Sequence, residues 1–296
     1  MARAAFAPAK VNLFLHVGAP GADGYHPICS LMAFADVGDL VSTFDAEALC
    51  LAVAGPFAAD LAGEGDNLVL RAARALIAEV RRPVAPVGLS LEKRLPVASG
   101  LGGGSGDAGA ALRLLREVLD LRVANDRLEA LAASLGADGA ACLWGAPVLA
   151  QGRGEQLRAA PGLPPLDAVL VNPGVAVSTA EVYRRFDAAG RFGDVAPPLA
   201  PEAFEDVREL AAWLAGQRND LEAAAIAAAP AVGAVLETLA GEPEALLARV
   251  SGSGGTSFAL CASDIEAESL AERLEAMAPA WWVQRCRLGG PWPDPE

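Results

Sequence analysis

The chain has 296 residues, enough for one large domain or two packed ones, and 53% of them are apolar, which is ample for a hydrophobic core. Aspartate and glutamate number 37 against 23 lysine and arginine, so the formal charge is −14. An acidic surface repels nucleic acid and anionic lipid. Neither is an expected partner, and any phosphate site has to be built locally from backbone N–H groups and a few cations.

The cysteines and the apolar segments indicate where the protein works. The five cysteines are widely spaced and form no Cys-x-x-Cys pair, which is typical of free thiols in a reducing compartment rather than of a zinc site. Lys10 and Asn12 interrupt the apolar N-terminal stretch, which argues against a signal peptide. The longest uncharged helical stretch is too short to span a bilayer. We therefore predict a cytoplasmic protein.

Hydrophobic periodicity predicts a mixture of strands and helices along the chain. The predicted strands are 11–17, 39–44, 49–54, 87–95, 146–151, 168–171, 247–250, 257–260 and 282–288. The predicted helices are 67–80, 107–119, a segment from Asp126 to near Gly136, one resuming at Glu205, and 266–277. Asp126 and Glu129 have the spacing of a capping box.

Strands and helices do not follow a strict βαβ alternation, which favours an α+β fold. The Gly- and Pro-rich stretch 187–201 is predicted to be a loop. A domain boundary is placed near Glu155, which divides the chain into residues 1–155 and 156–296.

The strongest local motif is Gly100-Leu-Gly-Gly-Gly-Ser-Gly-Asp107, between a predicted strand and a helix. Glycines let backbone N–H groups approach an anion, and a helix N-terminus adds its positive dipole end. No Lys-Ser/Thr follows, so this is not a Walker A loop. A Gly-x-Gly-x-x-Gly match at residues 104–109 is weak, because a second helix follows where a dinucleotide fold needs a strand. The motif therefore predicts a site for a nucleoside triphosphate, against the alternative of an ordinary flexible loop.

Three further groups of residues are candidates for chemistry. Lys10 and Asn12 share one face of an otherwise apolar strand, where they need a partner or a role, unless the strand is a surface edge. Asp138 follows a helix end, where such a residue is usually a cap. Tyr25 and His26 close the first loop, and this pair suits the recognition of a base or ring as well as a packed loop anchor.

Together these motifs resemble the GHMP kinase superfamily. The similarity runs nearly from end to end, through Pro8-Ala-Lys-Val-Asn-Leu13, Asp23-Gly-Tyr-His26, Asn67-Leu68, Lys93-Arg-Leu-Pro96, Gly100–Ser105, Gly136-Ala-Asp138, Asn172-Pro-Gly174, Asn219-Asp-Leu221 and Ser251-Gly-Ser-Gly254. The combination of Lys10-x-Asn12 with Gly24-Tyr-His26 is the most specific part. It resembles members whose acceptor carries a cytidine diphosphate group.

The resemblance implies a two-domain fold with the active site between the domains, and ATP with Mg²⁺ as cofactors. Asp138 would be the base toward the acceptor hydroxyl, and Lys10 would stabilise charge beside it. The implied ATP site has Asn67 and Lys93 flanking the adenine, with Pro96, Gly100, Leu101, Gly102, Gly103, Gly104 and Ser105. Tyr25 and Tyr183 would sandwich the cytosine, His26 would read its polar edge, and Asn12 would help to position the acceptor. The magnesium ligands stay unassigned, and a monomer or weak homodimer is expected.

The sequence also departs from the superfamily pattern. Gly106 stands where a second serine is usual, and Gly109 stands in a predicted helix, where it costs about 1 kcal/mol by propensity. Gly139-Ala-Ala141 follows Asp138 in place of Val-Pro-Phe, so we expect looser packing around the aspartate.

Two other functions compete with a kinase for a cytidylated acceptor. One is a homoserine- or mevalonate-type kinase, which lacks the Gly-Tyr-His clamp. The other is a non-catalytic nucleotide-binding protein, which the intact Lys10 and Asp138 argue against.

Overall fold

Two long antiparallel strands at the start of the chain organise the fold of the computed structural model, which describes residues 3–62, 67–80 and 82–295. In this part of the chain the strands are β1 (Ala4–Val17), β2 (Ile28–Phe44), β3 (Cys50–Ala54), β4 (Gly88–Glu92), β5 (Val148–Gly152), β6 (Gln156–Ala159), β7 (Leu166–Asn172), β8 (Leu247–Val250), β9 (Ser257–Cys261) and β10 (Trp282–Gly289). The α-helices are α1 (Leu68–Glu79), α2 (Gly103–Val118), α3 (Asn125–Leu135), α4 (Gly139–Trp144), α5 (Thr179–Ala189), α6 (Val207–Ala215), α7 (Glu222–Ala228), α8 (Pro230–Gly241) and α9 (Asp264–Met277). A short 3₁₀ helix covers Ala58–Leu61.

The strands form one mixed sheet whose centre is β2. One edge of β2 pairs with β1 along nearly its whole length, and the other edge pairs in turn with β5, β10 and β4. The order β3-β4-β2-β10-β7-β9-β8 then carries the sheet into the second half of the chain, and only β3 and β4 are parallel among the paired strands described. The mixed helices and strands confirm the α+β prediction.

Two irregularities interrupt the pairing of β1 with β2. Pro8 pairs with Gly38 but Lys10 pairs with Phe34, and a second shift lies between Asn12 and Phe14. Ala5 and Ala7 pack with α1, α2 and α3 before the first shift, whereas Ala9 and Val11 belong to a different core cluster after it. The odd-numbered side chains of β1 therefore pass from one core cluster to the next along the strand, because a shift of two residues leaves the alternation of faces unchanged.

Helices cover the sheet with apolar faces. The leucines and alanines of α1, α2 and α3 pack with β1, β2 and β4, and α6 packs on β8 and β9. The predicted helix 67–80 is confirmed: Asn67 is its N-cap, and its side-chain oxygen accepts a hydrogen bond from the Val69 N–H at 2.9 Å. Such a cap stabilises a helix by about 1 kcal/mol.

The structure corrects two predicted helix starts. Helix α2 begins at Gly103 rather than at Asp107, so Gly103, Gly104 and Gly106 are helical. The predicted capping box is wrong, because α3 begins at Asn125 without a side-chain cap, and Glu129 instead accepts a hydrogen bond from the Trp144 indole at 2.7 Å.

Several elements were not predicted from the sequence, namely the first half of β2, the strand β6 and the helix α4. The predicted loop 187–201 begins inside α5. The predicted division at residue 155 falls in the turn between β5 and β6, within a sheet that spans both halves, so the two-domain division stays a prediction. Within the described ranges, none of the helices has the length and hydropathy needed to cross a membrane.

Candidate active site

A cleft of 1610 Å³ lies where β1, the first glycine loop and α5 meet. Pockets for a single drug-sized ligand have volumes of roughly 300–1,000 Å³, so this cleft has room for two ligands side by side. Its walls include all of the predicted site residues except Leu101.

The Lys10 ammonium and the Asp138 carboxylate meet in this cleft, with Nζ 3.3 Å from Oδ2. Lys10 is buried, whereas the Asp138 side chain is about one-third exposed, at 31%. Asp138 is the N-terminal flanking residue of α4 but makes no side-chain cap hydrogen bond. Its carboxylate is therefore available to a ligand, unlike that of an ordinary capping aspartate.

A buried hydrogen-bond chain holds Lys10 in place. The Lys10 ammonium donates to Asn12 Oδ1 at 2.5 Å, and Asn12 Nδ2 donates to Ser30 Oγ at 2.7 Å. Ser30 in turn donates to the Phe14 carbonyl at 2.6 Å. Because every step has a defined donor and acceptor, the orientation of the Asn12 amide is fixed. Ser30 was not predicted, since its sequence context resembles that of any buried strand serine.

The first glycine loop adopts backbone conformations that side chains disfavour. Gly100 has φ 77° and Gly102 has φ 65°, both in the left-handed region. A Cβ on Gly100 would overlap the Ser251 carbonyl and lie 2.7 Å from the Gly254 carbonyl oxygen. The loop therefore needs glycine at Gly100 for both conformation and space.

Helix α2 starts directly behind this loop, with Gly102 as its N-cap residue. The N-cap glycine has no side chain to cap the first N–H groups of the helix, which leaves them and the positive end of the dipole for an anion. The Gly103, Gly104 and Ser105 residues of this first turn line the cleft. This arrangement suits the phosphates of a nucleotide.

A second glycine loop, residues 251–256, packs against the first. Ser251 Oγ donates to the Gly100 carbonyl at 3.1 Å and accepts the Asn12 N–H at 3.2 Å. Asn219 Nδ2 donates to the Val250 and Gly252 carbonyls, each at 2.8 Å. These contacts tie the C-terminal half of the chain to the first glycine loop.

Lys93 lines the cleft, and its ammonium is held between two buried carboxylates. Its ammonium is buried and lies 2.5 Å from Asp39 Oδ2 and 2.8 Å from Asp107 Oδ2. Burial opposes its charge, but the two carboxylates outweigh this effect and raise the pKa of Lys93. A Cβ on Gly103 would lie 2.9 Å from Nζ, so Lys93 supports the first turn of α2 from beneath.

Asp39, Lys93 and Asp107 form a buried trio, in which Asp107 accepts fewer hydrogen bonds than Asp39. Asp39 Oδ1 accepts the backbone N–H groups of Arg94 and Leu95, at 2.6 and 2.9 Å, whereas Asp107 Oδ1 has no hydrogen-bond partner. Burial, with the negative charge of Asp39, raises the pKa of Asp107 to about 8 despite the opposing effect of Lys93.

The remaining residues of the predicted ATP site fall into two groups. Asn67 and Pro96 line the cleft. Leu101 does not: its side chain is fully buried in the hydrophobic core, and its carbonyl accepts the Lys10 N–H at 2.8 Å. Its contribution is to anchor the strand that carries Lys10.

The residues predicted to bind the cytosine, which we call the base clamp, are Tyr25, His26 and Tyr183, and all three line the same cleft. Tyr25 is 60% exposed, and Tyr183 on α5 is half-buried with its ring 5.2 Å from that of His26. His26 Nδ1 lies 2.7 Å from the Gly18 carbonyl oxygen, and Nε2 lies 3.0 Å from Asp187 Oδ1. Burial raises the pKa of Tyr183 to about 12, and Asp138 and Asp187 add to the shift.

Several cleft residues were not predicted as site residues. They come from segments far apart in the sequence, so no local motif brings them together: Ser99, Arg153, Thr179, Asp187, Gly252 and Ser253. Ser253 Oγ lies 2.8 Å from Thr179 Oγ1, which links the second glycine loop to α5. The motif 251–254 was the one available signal for this part of the wall.

Two departures from the superfamily pattern have a structural reason. A Cβ on Gly109 would lie 3.0 Å from the Cys142 carbonyl oxygen, and one on Gly139 would overlap the Ala132 carbonyl. Helix α4 therefore approaches α2 and α3 closely. The residues after Asp138 are buried, and Gly139 permits the close contact with Ala132.

Comparison with known proteins agrees with this geometry. Residues 67–146 match the family description "GHMP kinases N terminal domain" and residues 199–280 match "GHMP kinases C terminal". The chain is 61% identical to a protein of Caulobacter sp. (strain K31) named 4-diphosphocytidyl-2-C-methyl-D-erythritol kinase, over 97% of this chain and 98% of that one. A protein of the same name from Hyphomonas neptunium is 49% identical over 96% of each chain.

A solved structure described as 4-(cytidine 5'-diphospho)-2C-methyl-D-erythritol kinase superposes with a TM-score of 0.77 and 34% identity, covering 98% of this chain and all of that one. A homoserine kinase from Cytophaga hutchinsonii has a TM-score of 0.66 at 20% identity, over 97% of this chain and 95% of that one, and shows the fold alone. With both family regions matched and close relatives aligned over almost the whole chain, this protein belongs to the GHMP kinase family.

Proposed function

We propose that this protein transfers the γ-phosphoryl group of ATP to the 2-hydroxyl of 4-diphosphocytidyl-2-C-methyl-D-erythritol, a step of non-mevalonate isoprenoid precursor synthesis. The observation that carries the proposal is a single cleft holding the Lys10–Asp138 pair, with a phosphate loop and an aromatic cluster in its walls. The names of the relatives that align over 97% of the chain agree with it.

Asp138 acts as the general base in this proposal. Its carboxylate takes the proton of the acceptor hydroxyl as the oxygen forms its bond to phosphorus and the bond to the ADP oxygen breaks. Lys10, 3.3 Å away, stabilises negative charge on the transferring group. Asn12 and Ser30 hold Lys10 at that distance.

ATP would bind with its phosphates at the first turn of α2 and its base toward Asn67 and Pro96. Mg²⁺, when bound with the nucleotide, would neutralise phosphate charge. Such an ion takes most of its ligands from phosphates and water and needs one or two protein oxygens. Ser105 and Asp138 supply oxygens in the cleft, and no cluster of three or more His, Cys, Asp or Glu residues suited to a metal occurs in the described residues.

The acceptor would bind through its cytosine between Tyr25 and Tyr183, with His26 at the polar edge of the base. Both ring nitrogens of His26 already face oxygen atoms, Nδ1 that of the Gly18 carbonyl and Nε2 that of the Asp187 carboxylate. A base that hydrogen-bonds to Nε2 would therefore displace Asp187 or approach beside it.

An ADP-release assay over a panel of acceptors tests the proposal. The panel contains the cytidylated substrate, methylerythritol phosphate, homoserine, mevalonate and galactose. We expect efficient turnover of the cytidylated substrate alone. Equal turnover of methylerythritol phosphate would contradict the base clamp, and preference for homoserine or mevalonate would replace the proposed acceptor.

We also propose a cytoplasmic location and a monomer or weak homodimer. The five cysteines are free and four of them are buried, which suits a reducing compartment. Fractionation of the native host cell tests the location, and sedimentation of the purified protein tests the oligomeric state.

A further inference from the structure

We propose that Arg153 is a positioning residue for Tyr25, and that Arg153 and Asp23 together hold the tyrosine ring as one wall of the nucleobase site. This inference rests on the proposed function, because it assigns to Arg153 the preparation of the site for the base of the acceptor. Arg153 lies in the turn between β5 and β6 and lines the cleft.

The Arg153 guanidinium covers one face of the Tyr25 ring, with its central carbon 4.4 Å from the ring centroid. A cation within about 6 Å of an aromatic centroid is attracted by the negative face of the ring. Tyr25 is 60% exposed, so packing against the core does little to orient it. The guanidinium leaves the opposite face of the ring for stacking on a base.

Asp23 connects the backbone of Tyr25 to the same guanidinium. Its Oδ1 accepts the Tyr25 N–H at 3.1 Å, and its Oδ2 pairs with Arg153 Nη2. The tyrosine is thus held at its backbone by one carboxylate oxygen and at its ring by the cation that the other oxygen binds. These three residues form one unit, which we call the Tyr25 support.

The turn that carries Arg153 also touches the catalytic segment. Gly154 has φ 114°, and a Cβ there would lie 2.6 Å from the carbonyl oxygen of Ala137, the residue before Asp138. The Arg153 N–H donates to Glu155 Oε2 at 2.7 Å, which closes the turn. The position of the tyrosine ring is therefore set relative to the proposed general base.

An alternative role for Arg153 is direct binding of the acceptor's diphosphate, which an arginine in an acidic protein could provide. The two roles differ in their dependence on phosphate. A support for Tyr25 affects every ligand that stacks on the ring, whereas a phosphate ligand affects only those that carry phosphate.

The test measures calorimetric binding of cytidine and of CDP to the wild-type protein and to Arg153→Ala. Arg158→Ala is the matched control, because Arg158 is an exposed arginine of the same hairpin that does not line the cleft. From the size of cation–π contacts, we expect Arg153→Ala to bind both ligands about two- to fivefold more weakly, with Arg158→Ala unchanged. A loss confined to CDP would overturn the support role, as would no loss for either ligand.

A second measurement asks whether Arg153 acts through Tyr25. In a Tyr25→Ala background, Arg153→Ala should have no further effect on cytidine binding or on KM for the cytidylated acceptor, and KM for ATP should stay the same throughout. Full additivity would overturn the inference. If the wild type neither binds cytidine nor uses the cytidylated acceptor, the proposed function itself fails; if it does both and Arg153→Ala matches it, only this inference fails.

Discussion

At the level of single residues, the proposed catalytic pair joins groups from opposite ends of the N-terminal half of the chain. Lys10 is on β1 and Asp138 precedes α4, yet Nζ and Oδ2 lie 3.3 Å apart. Both residues were identified from the sequence, but only as members of motifs. Lys10 is held by hydrogen bonds to Leu101 and Asn12, and Asp138 stands at the start of α4, which packs closely on α3.

We expect Asp138→Asn to abolish phosphoryl transfer while leaving ATP binding nearly intact. The amide keeps the shape of the side chain but cannot take the proton, and loss of a general base costs about 10² to 10⁴ in rate. The measurements are kcat with the cytidylated acceptor and Kd for ATP. A variant within a few-fold of the wild-type kcat would remove Asp138 from the mechanism.

The base clamp leads to a second prediction for single residues. Tyr183→Ala and His26→Ala should each lower kcat/KM for the cytidylated acceptor at least about tenfold, since stacking on a nucleobase is worth about 1–3 kcal/mol per aromatic ring. KM for ATP should change little. Steady-state kinetics with each substrate varied in turn checks this, and equal effects on both KM values would contradict separate sites.

At the level of secondary structure elements, the start of α2 is helical although its glycines disfavour a helix, because tertiary packing outweighs their intrinsic propensity. Gly103, Gly104 and Gly106 favour a loop by propensity, yet they form the first turns of α2. Each glycine in a helix costs about 1 kcal/mol relative to alanine. Contacts with β1 and α4 along α2 compensate for this cost, and Gly109 allows α2 to lie close to the Cys142 carbonyl of α4.

We expect Gly100→Ala to destabilise the fold and to weaken ATP binding strongly, whereas Gly104→Ala should fold normally. Gly100 has φ 77°, and a methyl group there would press on the carbonyls of the second glycine loop. A methyl group on Gly104 would instead meet the flexible end of the Leu68 side chain at 3.1 Å. Thermal unfolding and ATP titration of both variants make the comparison. Equal, mild effects would show that the two glycine loops do not need their close contact.

At the scale of the whole molecule, buried charges join parts of the chain that the sequence leaves unrelated. Arg249 on β8 donates to the carbonyls of Leu13, Leu214 and Gln217, and the trio of Asp39, Lys93 and Asp107 connects β2 to the base of α2. A buried charge without partners is costly, so these networks hold the elements in one arrangement.

The pH dependence of stability follows from Asp107. Burial raises its pKa in the folded protein from 3.8 to about 8, so the folded state holds a proton that the unfolded state has lost. The contribution of this proton to the free energy of unfolding is fully present below pH 3.8 and is lost as the pH rises toward about 8. The wild type should therefore lose stability relative to Asp107→Asn by up to about 1.4 kcal/mol per pH unit between pH 6 and 8.

Denaturant unfolding at several pH values measures this difference. Effects of the two histidines cancel in the comparison, because both proteins contain them. If the free energy of unfolding depends on pH in the same way for the wild type and Asp107→Asn, the proton is not held by Asp107.

The α+β class, the helix after Asn67 and the glycine loop before α2 could be predicted from the sequence. These features depend on properties of neighbouring residues, such as periodicity, capping and glycine content, which the linear order preserves. The helix 67–80 was predicted nearly to the residue for this reason. The roles of Lys10, Asp138, Tyr25 and His26 stay predictions that rest on the resemblance to the GHMP kinases.

Other features could not be predicted from local patterns: the partners of Lys93, the burial of Leu101, the early start of α2, and the approach of Arg153 to Tyr25. Lys93 and Asp39 are 54 residues apart, and Arg153 and Asp23 are 130 apart. Contacts over such separations depend on how the sheet brings strands together, and the register of β1 against β2 shifts at two places, between Pro8 and Lys10 and between Asn12 and Phe14. Local sequence patterns cannot specify that register, because the free energy that selects it comes from packing against distant elements.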